Sequence, residues 1–284
     1  VVKAFVPHKP SQQQQTFLNS EALEYLFGGA AGGGKSDALL MAALQFVDVP
    51  GYSAGIFRLT KQDMNKPDAI LSRAHAWLDG NPRVRWDGDK HAFIFQTTGE
   101  PSELHFGYVA TPKDVQRYQG AAFQFIGIDE LGQWAEYNYN YLFSRLRRKK
   151  GVTVPIRMRA TTNPGGPGHE WIKRKFIERA EHITGKTPVR VDIAMNRRSG
   201  VSMPEPRTYV SEPTQNEIDL ATQQNRTPQP TYFQPSFSDD NPGLDVEEYK
   251  ASLSRLDVVT RKQLDDGDWD AIFSGEYFKA EWFR

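Results

Sequence analysis

Three features of the sequence predict an α/β fold with a mostly parallel central sheet flanked by helices. Short apolar runs alternate with helical patterns as far as Thr161, the pattern of a parallel sheet covered on both faces. A glycine cluster, Gly28 to Gly34, joins the first apolar run to the first strong helical pattern. A later run, Phe123 to Ile128, is short and apolar apart from Gln124, which suits a strand buried on both faces.

The elements follow in order. A polar, Gln-rich opening leads to Tyr25-Leu26-Phe27, which runs into the glycines as a strand. Asp37 to Phe46 places Leu39, Leu40, Ala43 and Phe46 at helical spacing. Ser53 to Leu59 reads as a strand, and Ala69 to Leu78 as a helix stopped by Gly80-Asn81-Pro82. Ala92 to Thr97 and Glu103 to Val109 read as a hairpin around Gly99-Glu100-Pro101-Ser102. Val154 to Thr161 alternates Ile156, Met158 and Ala160 with Arg157 and Arg159, and ends in Asn163-Pro164-Gly165-Gly166. From Ser199 to Pro230 the chain is rich in Pro, Ser, Thr and Gln and reads as a long loop. Helical signals return from Asp245 to Leu256 and from Thr260 to Asp266. The expected division is a core of residues 1–235, with 199–230 as a loop-rich insertion, and a small C-terminal subdomain of residues 236–284.

Composition narrows the function. The chain has 284 residues, 38% hydrophobic and 25% charged, ordinary for a globular protein. No run approaches the roughly 20 apolar residues of a membrane span, and Val1-Val2-Lys3-Ala4-Phe5 lacks the apolar core of a secretory signal. Without cysteine there are no disulfides and no thiolate metal sites, and a reducing, intracellular compartment fits. The 35 basic and 35 acidic residues cancel, which argues against a protein that simply coats nucleic acid. Their distribution is uneven: Arg145 to Arg198 holds 15 Lys and Arg against four acids, whereas from Ser236 onward 12 acids outnumber six bases. A basic run is either a solvated face or a polyanion contact.

The chemistry concentrates in three motifs. Gly29-Ala30-Ala31-Gly32-Gly33-Gly34-Lys35-Ser36 fits the phosphate-binding pattern G-x-x-x-x-G-K-[ST] without departure. Glycines let successive N–H groups face one anion, and the following helix adds its positive end. Lys35 then reaches the β- and γ-phosphates of ATP and Ser36 a Mg²⁺ ion. The second motif is the apolar strand ending in Asp129-Glu130, 93 residues after Ser36. Asp129 at the strand end suits the Mg²⁺ shell, and Glu130 beside it suits polarising a water; Asp129 also suits a helix cap. At least one strand lies between the two motifs, which points to P-loop ATPases with an added central strand and a catalytic Glu. The third is Thr161-Thr162-Asn163, where a strand ends in small polar side chains before a sharp turn. Such a tip can sense a γ-phosphate; equally, it can be plain turn chemistry.

Together these motifs resemble the N-terminal ATPase domain of the large terminase subunit, the DNA-packaging motor of tailed double-stranded-DNA bacteriophages. The resemblance covers nearly the whole chain. It includes Gln14-Gln15-Thr16-Phe17-Leu18 before the P-loop, Arg117-Tyr118-Gln119-Gly120 before Ile128-Asp129-Glu130-Leu131, and Asn163-Pro164-Gly165-Gly166. Asp240-Asn241-Pro242 and Gly267-Asp268-Trp269-Asp270 resemble the subdomain that closes over the site as a lid. The resemblance implies a RecA-like P-loop ATPase with Gln14 at the adenine and Thr161, Thr162 and Asn163 as the coupling motif. It implies catalytic roles for Lys35, Asp129 and Glu130, completed by an arginine from a neighbour in a homo-oligomeric ring. Arg145, in the basic cluster Ser144-Arg145-Leu146-Arg147-Arg148, is the first candidate for that finger; Arg117 and Arg58 are alternatives. The implied partners are double-stranded DNA, a portal protein and a small terminase subunit, with no membrane, in the host cell cytoplasm and not in the mature virion. Arg147, Arg148, Lys149, Lys150, Lys173, Arg174 and Lys175 are the candidate DNA contacts. Terminases of this kind continue into a nuclease, so nuclease activity is expected in a parent protein beyond Arg284. A helicase-like translocase predicts a second ATPase-like core, and a nucleotide-gated assembly scaffold predicts no working Glu130.

Overall fold

The computed structural model describes residues 5–223 and 227–272. The readings on residues 1–4, 224–226 and 273–284, among them the N-terminal signal and the join to a nuclease, lie outside those residues. Among the described residues, ten strands form one sheet: β1 Glu24–Gly29, β2 Ser53–Arg58, β3 Val84–Asp87, β4 Ala92–Phe95, β5 Ser102–Tyr108, β6 Phe125–Ile128, β7 Arg157–Thr162, β8 Glu181–His182, β9 Tyr209–Ser211 and β10 Thr231–Ser236. The spatial order is β3-β4-β5-β2-β6-β7-β1-β10-β9-β8. The six strands from β5 to β10 in that order are parallel, and an antiparallel pair flanks them on each side. β7 lies between the glycine-loop strand β1 and the Asp129 strand β6, so the two motif strands are not adjacent, as their separation in sequence predicts.

The helices are α1 Gln12–Asn19, α2 Lys35–Leu44, α3 Lys61–Met64, α4 Ile70–Leu78, α5 Glu136–Phe143, α6 His169–Ile172, α7 Val189–Ser199, α8 Gln215–Gln223, α9 Val246–Leu253 and α10 Val258–Leu264. Two apolar clusters cover the sheet, and β1 feeds both. Tyr25 and Phe27 join Phe17, Leu39 and Ile56, while Leu26 joins Ile126, Met158, Phe233 and Trp269. The two-residue period of a strand sends alternate side chains to opposite faces. Each fully buried Leu or Phe contributes roughly 1.5–3 kcal/mol.

Two expectations need correction. The stretch 199–230 is not a plain loop: it contains β9, which pairs antiparallel with β10, and the helix α8. Its polar composition hid these because β9 has only three residues and α8 buries only Ala221. β7 does not alternate between core and solvent either, since all six of its residues are buried. Arg159 donates to the carbonyls of Ser20 and Ala22 at 2.9 and 2.8 Å, and Arg157 to Gln45 Oε1 at 2.8 Å. Two charges of the basic run are therefore structural, and burial pulls the Arg159 guanidinium down to about 9.

Candidate nucleotide site

Gly29 to Ser36 leaves the end of β1 and enters α2. At Gly29, φ is +139°, and an added Cβ would stand 2.5 Å from the Ser236 carbonyl oxygen, so β10 permits only glycine there. Gly34 caps α2 in the left-handed conformation. Lys35 Nζ folds back to the Ala30 carbonyl of its own loop. Burial pulls this ammonium down to about 8, against the upward pull of Asp129, Glu130 and Asp240.

Asp129 stands at the end of β6, 1% exposed. Its Oδ1 accepts from Ser36 Oγ at 3.0 Å and from Thr161 Oγ1 at 2.6 Å. Its Oδ2 accepts from Arg58 at 2.8 Å, and Arg58 also reaches Glu130 at 3.1 Å. Arg58 comes from β2, the neighbour of β6. Sequence reasoning named Arg58 only as an alternative finger; its position between both acids depends on strand order, which no local signal carries. Glu130 is half exposed and has φ +57° and ψ +53°, costly for a side chain of this length.

β7 delivers the third motif beside these groups. Thr162 Oγ1 accepts from the Gly132 N–H at 2.9 Å. Among the described residues, Asn163 Oδ1 is buried without a hydrogen-bond partner, as is Ser236 Oγ. Lys35, Ser36, Asp129, Glu130, Thr161 and Asn163 line one cavity of about 320 Å³. A larger cavity of about 750 Å³ shares Asp68, Arg73 and Asn241 with it and is lined by Gln14 and Trp77. Gln14 is the glutamine that faces the loop: its Nε2 donates to the Gly34 carbonyl at 2.9 Å, while its Oε1 accepts from Ser11 N–H in a capping box. Residues after β10 close the other side. Asn241 Nδ2 donates to the Gly32 carbonyl at 2.8 Å, and the Ala31 N–H donates to the Leu264 carbonyl at 2.7 Å.

A glycine loop, a lysine, a hydroxyl–carboxylate pair and a second acid are thus brought together from residues 29–36 and 129–130. The family described as terminase large subunit, T4likevirus-type, N-terminal, matches residues 26–284. The chain belongs to that family. Solved structures agree on the fold. The large terminase of a thermophilic bacteriophage, in complex with ATP-gamma-S, is 14% identical with a TM-score of 0.58, over 92% of this chain and 53% of that one. The same terminase with ADP gives 15% and 0.57, over 91% and 53%. The ATPase domain of the Thermus phage P74-26 large terminase gives 16% and 0.52, over 93% and 96%. The chain spans about half the length of the first of these large terminases. No curated protein matches. The terminase fold is α/β and RecA-like, with a mostly parallel sheet flanked by helices.

The remaining predicted residues of this terminase chain lie elsewhere. The Arg145 carbonyl accepts from Phe123 N–H at 3.0 Å, before the start of β6, and its guanidinium lies over the Tyr141 ring at 5.1 Å. Asp129 is six residues further along, roughly 20 Å at strand spacing, so Arg145 is at the opposite end of the sheet from its own site. Arg117 is at the site end. It donates to the hydroxyl and carbonyl of Tyr108 at 2.7 and 3.1 Å, and Tyr108 is in register with Arg58.

The candidate DNA contacts divide. Arg147, Arg148 and Lys150 are exposed and have no ion pair among the described residues. Lys149 pairs with Glu100 at 2.6 Å, Lys173 with Asp270 at 2.9 Å, Arg174 with Glu136 at 2.8 Å and Lys175 with Glu24 at 2.9 Å. Arg190 and Arg197 pair with Asp270 and Asp268. Part of the basic run is therefore matched by the acidic C-terminal segment. Among the described residues, no helix is long and apolar enough to cross a membrane.

Proposed function

We propose that this chain hydrolyses ATP and uses the hydrolysis to drive double-stranded DNA into a procapsid. The observation that carries the reading is the junction of Ser36, Asp129 and Thr161 beneath the glycine loop, with Glu130 at its mouth. The thermophilic-phage relative was solved with ATP-gamma-S and with ADP, which supports nucleotide as the ligand. The donor set fits Mg²⁺: a hydroxyl and a carboxylate oxygen already meet at 3.0 Å, the oxygen chemistry that Mg²⁺ takes. When bound, the ion supplies charge neutralisation across the β- and γ-phosphates. The chain's own groups do the rest. Lys35 leaves the Ala30 carbonyl for the phosphates, which are also met by the loop amides. Gln14 and the larger cavity hold the adenine. Arg58 holds Asp129 and Glu130 in place. Glu130 orients and polarises the attacking water, and Asn163, whose Nδ2 can donate to a phosphate oxygen, reads whether the γ-phosphate is present.

The assembly reading is a homo-oligomeric ring on a portal protein, with a small terminase subunit as partner, acting in the host cytoplasm. A neighbour's arginine completes each site. Arg117 is favoured by its place at the site end of the sheet; Arg145 is too far from its own site to serve anything but a neighbour's. Steady-state ATP hydrolysis by this chain, measured with and without double-stranded DNA, tests the proposal. Hydrolysis that requires Glu130 and rises with DNA is the expected result. Tight nucleotide binding without turnover under any DNA or protein concentration would instead favour a nucleotide-gated scaffold, a state in which Arg58 keeps Glu130 paired.

A further inference from the structure

We propose that His169 is a positioning residue that ties the turn after β7 to the segment 258–271, so that nucleotide occupancy at Asn163 is transmitted to that segment. The proposal rests on the nucleotide-binding reading and adds the route by which occupancy leaves the site.

His169 is buried at the start of α6. The Gly165 N–H donates to its Nδ1 at 2.9 Å, and its Nε2 stands 3.1 Å from the Trp269 carbonyl oxygen. Nδ1 accepts, so the proton sits on Nε2 and is donated to Trp269; only the neutral imidazole makes both bonds at once. The imidazole also stacks on the Trp269 indole at 5.5 Å and 23°. Glu170, Lys173 and Asp270 are the charged groups around it, and burial holds its pKa below the ordinary histidine value. One ring therefore joins the turn that carries Asn163 to a backbone carbonyl about 100 residues away.

A second connection closes the circuit. Gln263 of α10 packs against Gly165, and its Nε2 donates to the Ala271 carbonyl at 2.6 Å. The next residue, Leu264, accepts the Ala31 N–H of the glycine loop. Segment 258–271 thus touches the site at the loop and at the turn. Gly165 and Gly166 have φ of +97° and +80°, a turn set by backbone and held by these contacts. Asn163, the turn residue lining the cavity whose Oδ1 is buried and has no hydrogen-bond partner among the described residues, is the group that gains a partner when a ligand arrives: its Nδ2 can donate to a phosphate oxygen, and its Oδ1 can accept from a bound water. The resulting shift passes through Gly165 N–H to His169 and from there to Trp269.

Two near-isosteric variants separate the halves of this relay. The Oδ1 of His169→Asn takes the place of Nδ1 and retains the bond to Gly165, while the amide of His169→Gln reaches the place of Nε2 and retains the bond to Trp269. Hydrogen exchange of the full chain, with and without Mg²⁺ and ATP-gamma-S, reads the outcome. In the unmodified chain nucleotide is expected to slow exchange in 258–271 by about fivefold. His169→Asn should bind nucleotide within about threefold of normal, keep the response of 163–166 and lose that of 258–271. His169→Gln should lose the response of 258–271 as well. A purely structural role raises exchange in 258–271 equally in both states and leaves the nucleotide response intact, which overturns the proposal. So does nucleotide binding by the unmodified chain with no response in 258–271. Failure to bind nucleotide at all refutes the nucleotide reading, and the relay with it. Should both variants fail to fold, titration of the unmodified chain decides: 163–166 and 258–271 must respond with one midpoint, and separate midpoints overturn the relay.

Discussion

Arg58 approaches Asp129 with two nitrogens on one oxygen: Nε at 2.8 Å and Nη2 at 2.7 Å from Oδ2. The other oxygen is left to Ser36 and Thr161. The arrangement divides the carboxylate into a half that faces a fixed cation and a half that faces hydroxyls.

Removing Arg58 strands an almost fully buried acid. Breaking such a pair costs about 3–5 kcal/mol, so Arg58→Ala should lower the stability of the nucleotide-free chain by that order in denaturant titrations. Arg58→Lys should recover part, as one point charge lacks the guanidinium fork. Added Mg²⁺ should stabilise Arg58→Ala more than the unmodified chain, because it can take the vacated counter-charge. Unchanged stability in Arg58→Ala would show that the Arg58–Asp129 pair adds nothing to the fold.

Glu130→Gln keeps the size of the side chain and removes its basicity. Nucleotide affinity should be retained, and single-turnover hydrolysis should fall about 10²–10⁴-fold, the usual loss for a positioned base. Turnover within a few fold of normal would move the role to another group.

Lys35 links binding to pH. Its pKa in the fold is about 8 against an ordinary 10.5, so between these values the folded chain holds less proton than the unfolded one, and this group's contribution to stability rises with pH across that window. Phosphate favours the ammonium and raises its pKa, so binding takes up a proton in the same window. Affinity should therefore fall as pH rises above about 8, by up to about tenfold per unit. Calorimetry at pH 9 in buffers of different ionisation enthalpy should register the uptake. Lys35→Arg, which stays charged, should flatten the dependence, and Lys35→Ala should abolish measurable ATP binding.

On the proposed assembly, an arginine shared between subunits would make activity depend on protein concentration. A finger is worth about 10³–10⁵ in rate, so the dilute chain should bind ATP well and hydrolyse it slowly, with specific activity rising on concentration. Arg117→Ala should remove that rise while leaving affinity nearly unchanged, and mixing it with Glu130→Gln should restore activity, since each lends what the other lacks. Rescue by Arg145→Ala instead of Arg117→Ala would reverse the order of the two. High activity independent of concentration would place the arginine within its own subunit, as Arg58.

DNA binding should be insensitive to sequence and steep in salt, because phosphates alone are read. Neutralising Arg147, Arg148 and Lys150 should weaken it and reduce the salt slope by about 0.9 for each phosphate that is no longer neutralised. Neutralising Lys173, Arg174 or Lys175 should act first on thermal stability, through their ion pairs with Asp270, Glu136 and Glu24. A salt slope unmoved by the first set would shift the DNA face elsewhere.

What was legible in the sequence was local. The glycine loop, the Asp129-Glu130 strand end and the Asn163 turn are short runs whose spacing carries their chemistry, and the structure brings all three to one cavity. What was not legible depends on who sits beside whom. Arg58 enters the site only because β2 lies next to β6, and Asn241 only because the chain returns to Gly32 after β10. The basic run was visible as a surplus, but not its division, since the acids that pair with Lys173, Arg190 and Arg197 come about 70–100 residues later. β9 and α8 were missed because composition outweighed pairing in a three-residue strand.

The place of β10 bears on how the chain can be shortened. It lies in parallel along the whole of β1, from Glu24 opposite Thr231 to Gly29 opposite Ser236. A fragment ending anywhere before Thr231 would retain every residue of the glycine loop, yet leave the strand that launches it with a bare edge of unpaired N–H and C=O groups. That edge holds Tyr25, Leu26 and Phe27, all buried in the intact chain, and an apolar unpaired edge is a template for self-association. Ending the chain within the polar stretch ahead of β10 would turn the strand that launches the glycine loop into the stickiest part of the molecule.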